Sequence, residues 1–175
     1  MNMPSFRLMV SRAIIKLVND AAKLQQVQIG MLADEERGEV ERFQNYGYTS
    51  VPHAEAEAIA LSVGGSRSHM VVIAVDDRRY RLTGLAAGEV AIYTDEGDKI
   101  VLKRGREIEV TAGTRLIVNA PDSLFKGNAH FEGNVTCDQD VSDAAGSMQE
   151  MRDIFNDHDH NETGSVTAKP NQEME

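Results

Sequence analysis

Between Lys99 and Ser142 the sequence is written in very short apolar units separated by Gly, Asp or Asn. They are Lys99-Ile100-Val101-Leu102-Lys103, Glu107-Ile108-Glu109-Val110, Arg115-Leu116-Ile117-Val118, Ser123-Leu124-Phe125, Ala129-His130-Phe131, Asn134-Val135-Thr136-Cys137 and Asp140-Val141-Ser142. A two-stranded pair of this length is marginal in water. Stacked as a parallel solenoid, each unit can bury one face. A β-helix made by one chain needs more residues per coil than these units provide. Three chains wound together, each giving one strand per level, close a triangular prism with a continuous apolar axis and no free sheet edge. Seven strands at ~4.8 Å spacing give a shaft of roughly 34 Å. The competing reading adds the same strands to one larger β domain.

Composition points the same way. The chain has 175 residues, of which 41% are hydrophobic but only 5% aromatic, with no Trp. That is enough for one ordinary domain or two small ones, but thin for a self-sufficient core. The formal net charge is −10, so a trimer carries roughly −30, which favours solubility. A nucleic-acid binder needs a basic face, and no such concentration occurs, so nucleic acid is not an expected partner. Cys137 is the single cysteine. It permits no intrachain disulfide and reads as a buried, small apolar filler in a chain folded in a reducing cytosol. No run approaches the ~20 apolar residues of a membrane-spanning helix. Arg7, Arg12 and Lys16 lie near the start, yet an uninterrupted apolar stretch and a small-residue cleavage site are missing, so no signal peptide is expected.

Residues 1–24 read as an amphipathic helix. Val10, Ile14, Leu17, Ala21 and Leu24 follow alternating steps of four and three, Phe6 extends the stripe, and Arg12, Lys16, Asp20 and Lys23 lie off it. Such a helix packs on its own domain or docks on a partner. From residue 25 to 95 the period is two: Val27 and Ile29, then Val40 and Phe43, then the turn-rich Asn45-Tyr46-Gly47-Tyr48. Glu57, Ile59, Leu61 and Val63 alternate with Ala56, Ala58, Ala60 and Ser62. Gly64-Gly65-Ser66 turns into the apolar run Met70 to Val75, and Asp76-Asp77 turns again toward Tyr80, Leu82 and Val90 to Tyr93. Five or six short strands punctuated by Gly and Asp predict a small antiparallel barrel or sandwich, here an OB-like barrel. Barrels of that kind bind single strands or glycans through stacking aromatics and a basic groove. This one offers a few tyrosines and excess acid, so it reads as a scaffold.

Beyond residue 96–143, the shaft, the β pattern stops, and 144–175 form a small tip. Ser147-Met148-Gln149-Glu150 is a capping box, and Met148, Met151, Ile154 and Phe155 line one helical face. So short a helix is not stable alone; three copies around an axis would bury these faces together. Then comes Asn156-Asp157-His158-Asp159-His160-Asn161. In extended chain, His158 and His160 point to the same side. Two imidazoles hold a metal poorly, but a threefold axis makes them six nitrogens, an octahedral cage. The plainer reading is a solvated, acidic surface. A cupin site also opens with His-x-His, but it needs a glutamate and a third histidine further on; Glu162 follows too closely, and no histidine lies after His160. The residues up to Gly164, Thr167, Pro170 and Met174 are either a disordered tail or the folded-back wall of a cap.

Two segments carry a resemblance. Ser147-Met148-Gln149 through His158-Asp159-His160, with Gly164, Thr167, Pro170 and Met174, is similar to the central baseplate spike proteins of phage Mu and related contractile-tail phages, and so is Asn45-Tyr46-Gly47-Tyr48-Thr49-Ser50-Val51-Pro52. The resemblance runs over essentially the whole chain. One step departs from it: the family often has a small or Pro-Gly-rich step after His-x-His, where this chain has Asn161-Glu162-Thr163-Gly164. The resemblance implies a homotrimer that is mainly β: N-terminal helix, OB-like barrel, triple-stranded β-helix shaft, and a metal-capped apex with a short helix. It implies one buried iron ion per trimer held by His158 and His160 of three chains, and no enzymatic activity. It also implies a virion protein, assembled in the host cytoplasm, that meets baseplate hub proteins and is driven through the host outer membrane when the tail contracts. Imidazole suits iron, nickel, copper and zinc alike, and an octahedral shell disfavours zinc. Iron is thus compatible with the ligands while its identity comes from the resemblance, and six imidazoles leave no open position for a substrate. Asp157, Asp159 and Glu162 are candidates for orienting the imidazoles, and oxygens gathered on the axis could hold Ca²⁺. The alternative function is an adhesin module that binds a glycan or receptor through the barrel.

Overall fold

A computed structural model describes residues 9–31 and 35–174. The chain divides into two units, Met1–Val118 and Asn119–Glu175. In the first, five strands close into a barrel in the order β1-β2-β3-β5-β4: β1 Val10–Asn19, β2 Gln26–Gly30, β3 Glu36–Arg42, β4 Glu57–Ser62 and β5 Met70–Asp76. All neighbours are antiparallel except β3 and β5, which run parallel through Glu41↔Val71 and Arg42↔Val72. The small closed barrel expected from the period-two pattern is therefore present, but it begins fifteen residues before residue 25, at Val10, and ends at Asp76.

The expected N-terminal helix is not there. Val10–Asn19 is a strand bonded on one side to β2 and on the other to β4, from Val10↔Leu61 to Ile14↔Glu57; the Phe6 end of that expectation lies outside the described residues. The helical seam was a coincidence of composition. The buried residues are Ala13 and Ile15, whereas Val10 and Leu17 from the seam lie exposed. The register shifts between Ile15 and Leu17, and such a bulge breaks the alternation that would have announced a strand. Val10, Ile14, Ile15 and Val18 are β-branched, which suits a pleated surface better than a helix.

The alternating segment 56–62 turns its small residues inward. Ala56, Ala58, Ala60 and Ser62 are all buried to 3% exposure or less, and Ile59 and Leu61 lie on the other face. Five strands enclose little space, and Ile15, Ile29, Val27 and Val72 already fill it; alanines opposite them complete a close-packed interior. Arg42 ties the Asn45–Pro52 segment to this barrel. Its guanidinium donates to Gln25 Oε1 (2.7 Å), the Ser50 carbonyl (2.7 Å) and Ser50 Oγ (3.0 Å). Burial pushes its pKa down, opposed by the charge of Asp20.

Two further expectations change. Tyr80 and Leu82 do not form a strand: Asp77 gathers the backbone and guanidinium of Arg79 and folds 77–80 into a turn. Val90–Tyr93 is not part of the barrel but β6, the first strand of an antiparallel sheet with β7 Lys99–Leu102 and β8 Ile108–Thr111. Asp95-Glu96-Gly97-Asp98 makes the β6–β7 turn, with Gly97 at φ 95°. Of the seven short units, these two alone pair as strands within the chain. The later ones have no regular partner in their own chain among the described residues, apart from the bridge Ser142↔Ser147. Cys137, expected to be buried, is exposed in the single chain, because its segment carries no second layer to cover it.

Ile29→Ala should destabilise the barrel by roughly 2–5 kcal/mol, whereas Tyr46→Ala, at a fully exposed site, should change it by less than ~0.5 kcal/mol. Denaturant unfolding of the two variants checks both values.

Candidate metal centre

The second unit is organised by α1, Met148–Asp157. Its start is the capping box foreseen from the sequence. The Glu150 N–H donates to Ser147 Oγ (3.0 Å), and the Ser147 N–H donates to Glu150 Oε2 (2.8 Å). Gly146 leaves room for this exchange, since a Cβ there would stand 2.7 Å from Glu150 Oε2. Asp140 braces the same turn: its Oδ1 accepts from the Val141 and Gln149 N–H groups. With the Ser147 hydroxyl foremost, these donors hold the Asp140 carboxyl below the usual carboxylate range. Met148, Met151 and Ile154 remain exposed and, with Val141 and Ala145, line an open apolar depression.

The helix stops at His158, whose backbone is extended at φ −72° and ψ 146°. From there the i, i+2 geometry brings both imidazoles together, with centroids 5.2 Å apart and planes at 86°. His158 Nδ1 lies 2.6 Å from the Phe155 carbonyl. A carbonyl only accepts, so Nδ1 carries the proton, and the lone pair is left on Nε2. In that tautomer Nε2 is the nitrogen left to bind a metal. The Phe155 ring packs beside His158 at 5.3 Å. Among the described residues no three His, Cys, Asp or Glu side chains of one chain converge as a metal site; His158 and His160 give two nitrogens per chain.

The chain then folds back. β9 Asn161–Glu162 and β10 Ser165–Val166 form a hairpin through Thr163-Gly164, with Gly164 at φ 84°. The Asn161-Glu162-Thr163-Gly164 step thus makes a tight turn of its own. The tail is a wall, not a loose end. Asn156 exchanges two hydrogen bonds with Met174 (3.1 and 2.9 Å), and Lys169 pairs with Asp157. Two of the three carboxylates expected to orient the imidazoles, Asp157 and Glu162, are used elsewhere. Lys169 holds the Asp157 carboxyl below its usual range, and Glu162 accepts from Ser165 Oγ (3.4 Å). The ring of His158 is oriented instead by a helix carbonyl. Sequence reading missed the part played by that carbonyl, by Asn156 and by Thr167; a hairpin centred on the Thr163-Gly164 pair would have set residue 160 opposite 167.

Elsewhere, Tyr46 and Tyr48 lie exposed on the Asn45–Pro52 segment, and His53 Nε2 stands 3.1 Å from Asp95 Oδ2, with its ring 5.0 Å from that of Tyr80.

Comparison with known proteins gives three matches. The family described as "Bacteriophage Mu Gp45, N-terminal" matches residues 12–79, which includes most of the barrel. The chain is 41% identical over 149 residues to the "Baseplate puncturing device gp45" of Escherichia phage Mu, covering 74% of this chain and 76% of that protein. It is 36% identical over 170 residues to the "Mu-like prophage FluMu protein gp45" of Haemophilus influenzae, covering 89% and 88% respectively.

The Asp140 brace makes the start of α1 sensitive to acid. A lowered folded-state pKa means that Asp140 stabilises above the ordinary carboxylate range, and that this stabilisation is lost as pH falls through the lowered value. Helix content of chelator-treated protein, followed by circular dichroism against pH, should fall in that window. Asp140→Asn should flatten the dependence, and Ser147→Ala should cost about 1 kcal/mol at neutral pH.

Proposed function

The chain belongs to the family of the phage Mu baseplate puncturing protein, and from that membership we propose that three copies form the central spike of a contractile-tail baseplate. It is a structural protein of the virion tail that associates with other baseplate components, not an enzyme. In the proposed role it is a homotrimer that meets the baseplate hub at one end. Its tip is driven through the host outer membrane when the tail contracts.

The observation that carries this proposal is the face of the β6–β7–β8 sheet. Its register sets Val90 beside Leu102 and Ile108, and Ile92 beside Ile100 and Val110. All six side chains share one face, and all are between 41% and 67% exposed. A soluble chain does not keep such a double aliphatic row in water without a partner surface. Covering the half that is exposed, at roughly 2 kcal/mol for each full side chain, is worth on the order of 6 kcal/mol per chain. The apolar units that follow, from Leu116 to Val141, are exposed as well. Two further copies of the same chain supply matching strips, and intertwining them builds the shaft. No helix among the described residues is long and apolar enough to cross a membrane, so passage through one relies on force from the contracting tail.

At the tip, His158 and His160 of three chains are the residues that would hold one metal ion, and iron is the ion that the family resemblance favours. The fixed Nδ1–H of His158 and the adjacency of the two rings fit such a ligand set. Bound there, the ion supplies a cross-link between chains at the end where each would otherwise fray, and structural metals contribute on the order of 10 kcal/mol to folding. A glycan- or receptor-binding role for the barrel is the second reading, favoured by the exposed Tyr46 and Tyr48; a glycan array separates it from the first.

Mass measurement and elemental analysis on one sample should give three chains and one metal ion. The double change His158→Ala with His160→Ala should leave the trimer mass intact and abolish the metal. A monomeric chain, or one ion per chain, would refute the shared clasp.

A further inference from the structure

We infer that Thr167 is the positioning residue for His160, and that the return segment holds one of the two metal-binding imidazoles while α1 holds the other. The inference rests on the proposed clasp and goes beyond it, because Thr167 is not a ligand.

The two histidines are anchored by different means. His158 is held through its ring, by the Phe155 carbonyl at 2.6 Å. His160 is held through its backbone, by Thr167 on both sides of the peptide. The Thr167 N–H donates to the His160 carbonyl at 2.9 Å, and the His160 N–H donates to Thr167 Oγ1 at 2.8 Å. In a regular antiparallel pair the second bond would end on the Thr167 carbonyl. Here the hydroxyl takes that place, directly after the register Val166↔Asn161. A threonine is suited to this. Its branched Cβ restricts χ1, so the acceptor is presented at a fixed point and not sampled among rotamers.

Thr167 is itself not free to drift. On its N-terminal side it continues β10, paired to β9. On its C-terminal side the chain is tied to the end of α1 twice, by Lys169 to Asp157 and by Met174 to Asn156. The helix end and the return strand thus form a closed frame, and the 5.2 Å separation of the two rings is set by that frame. A metal that must gather two nitrogens from every chain binds best when that separation is fixed before it arrives, since no ordering cost remains. Partners that orient ligands in this way typically change metal affinity by about 10–100-fold when removed.

The test uses the full chain reconstituted with ferrous iron alone, and the substitutions Thr167→Val and Thr167→Ser. Valine keeps the branched shape and removes the hydroxyl; serine keeps the hydroxyl. Metal content is measured first, then the rate of iron release to a chelator, with trimer mass recorded for each sample. The expected result is release at least about tenfold faster from Thr167→Val, retention close to the parent in Thr167→Ser, and the same mass throughout. Amide exchange at His160 in the metal-free protein should also speed up in the valine variant alone. Equal release from parent and Thr167→Val overturns the inference and leaves the clasp standing. Release from Thr167→Ser as fast as from Thr167→Val also overturns it, because the hydroxyl is then not the cause. A parent that takes up no iron removes the clasp itself, and the inference with it.

Discussion

A β-sheet whose aliphatic face stays half-exposed among the described residues sets the terms for this molecule. The barrel escapes the problem by closing on itself, so that every strand from β1 to β5 has two neighbours and the apolar face looks inward. The β6–β7–β8 sheet cannot do so: three strands are too few to close, and among the described residues of its unit no α-helix occurs to cover the rows headed by Val90 and Ile92. The remaining apolar units extend the same debt down the chain. In the proposed trimer, partner chains cover these faces, because identical strips are complementary in length and spacing by construction.

How much of this was legible in the sequence depended on whether one physical rule acted alone. Where period two ran unbroken, as in Glu57–Ser62, or a short apolar run lay between turns, as in Met70–Asp76, strands were readable, although alternation could not say that the alanine face of Glu57–Ser62 is the inner one. That choice follows from the narrow interior of five strands, which is a property of closure and not of the segment. In β1 the bulge between Ile15 and Leu17 shifted the phase, and the apolar residues then fell by accident on a helical stripe. The short units after Arg115 are a third case. Their apolar character was plain, but among the described residues their own chain gives them no regular partner strand, so the alternation had no ladder to act on.

At the tip, local chemistry was readable and tertiary chemistry was not. The capping box joins residues three apart, and His-x-His needs only the alternation of extended chain; both are in the structure as the sequence suggested. The groups that contact the histidines are a helix carbonyl and a residue across a hairpin, so only the Gly164 turn hinted at one of them. The acidic neighbours looked like natural partners for imidazole N–H groups. Asp157 instead meets the ammonium of Lys169, and a charge-assisted contact of that kind outcompetes a neutral donor.

The placement of β1 has a mechanical consequence. Because it is hydrogen-bonded along both edges, to β2 and to β4, a pull on Val10 along the strand axis loads both ladders in shear. The bonds must then yield together and not one after another, as they would if a terminal strand were peeled from an open edge. A helix docked on the barrel surface would have been the weak link under tension. A strand woven into the wall makes the beginning of the barrel one of its strongest points of attachment.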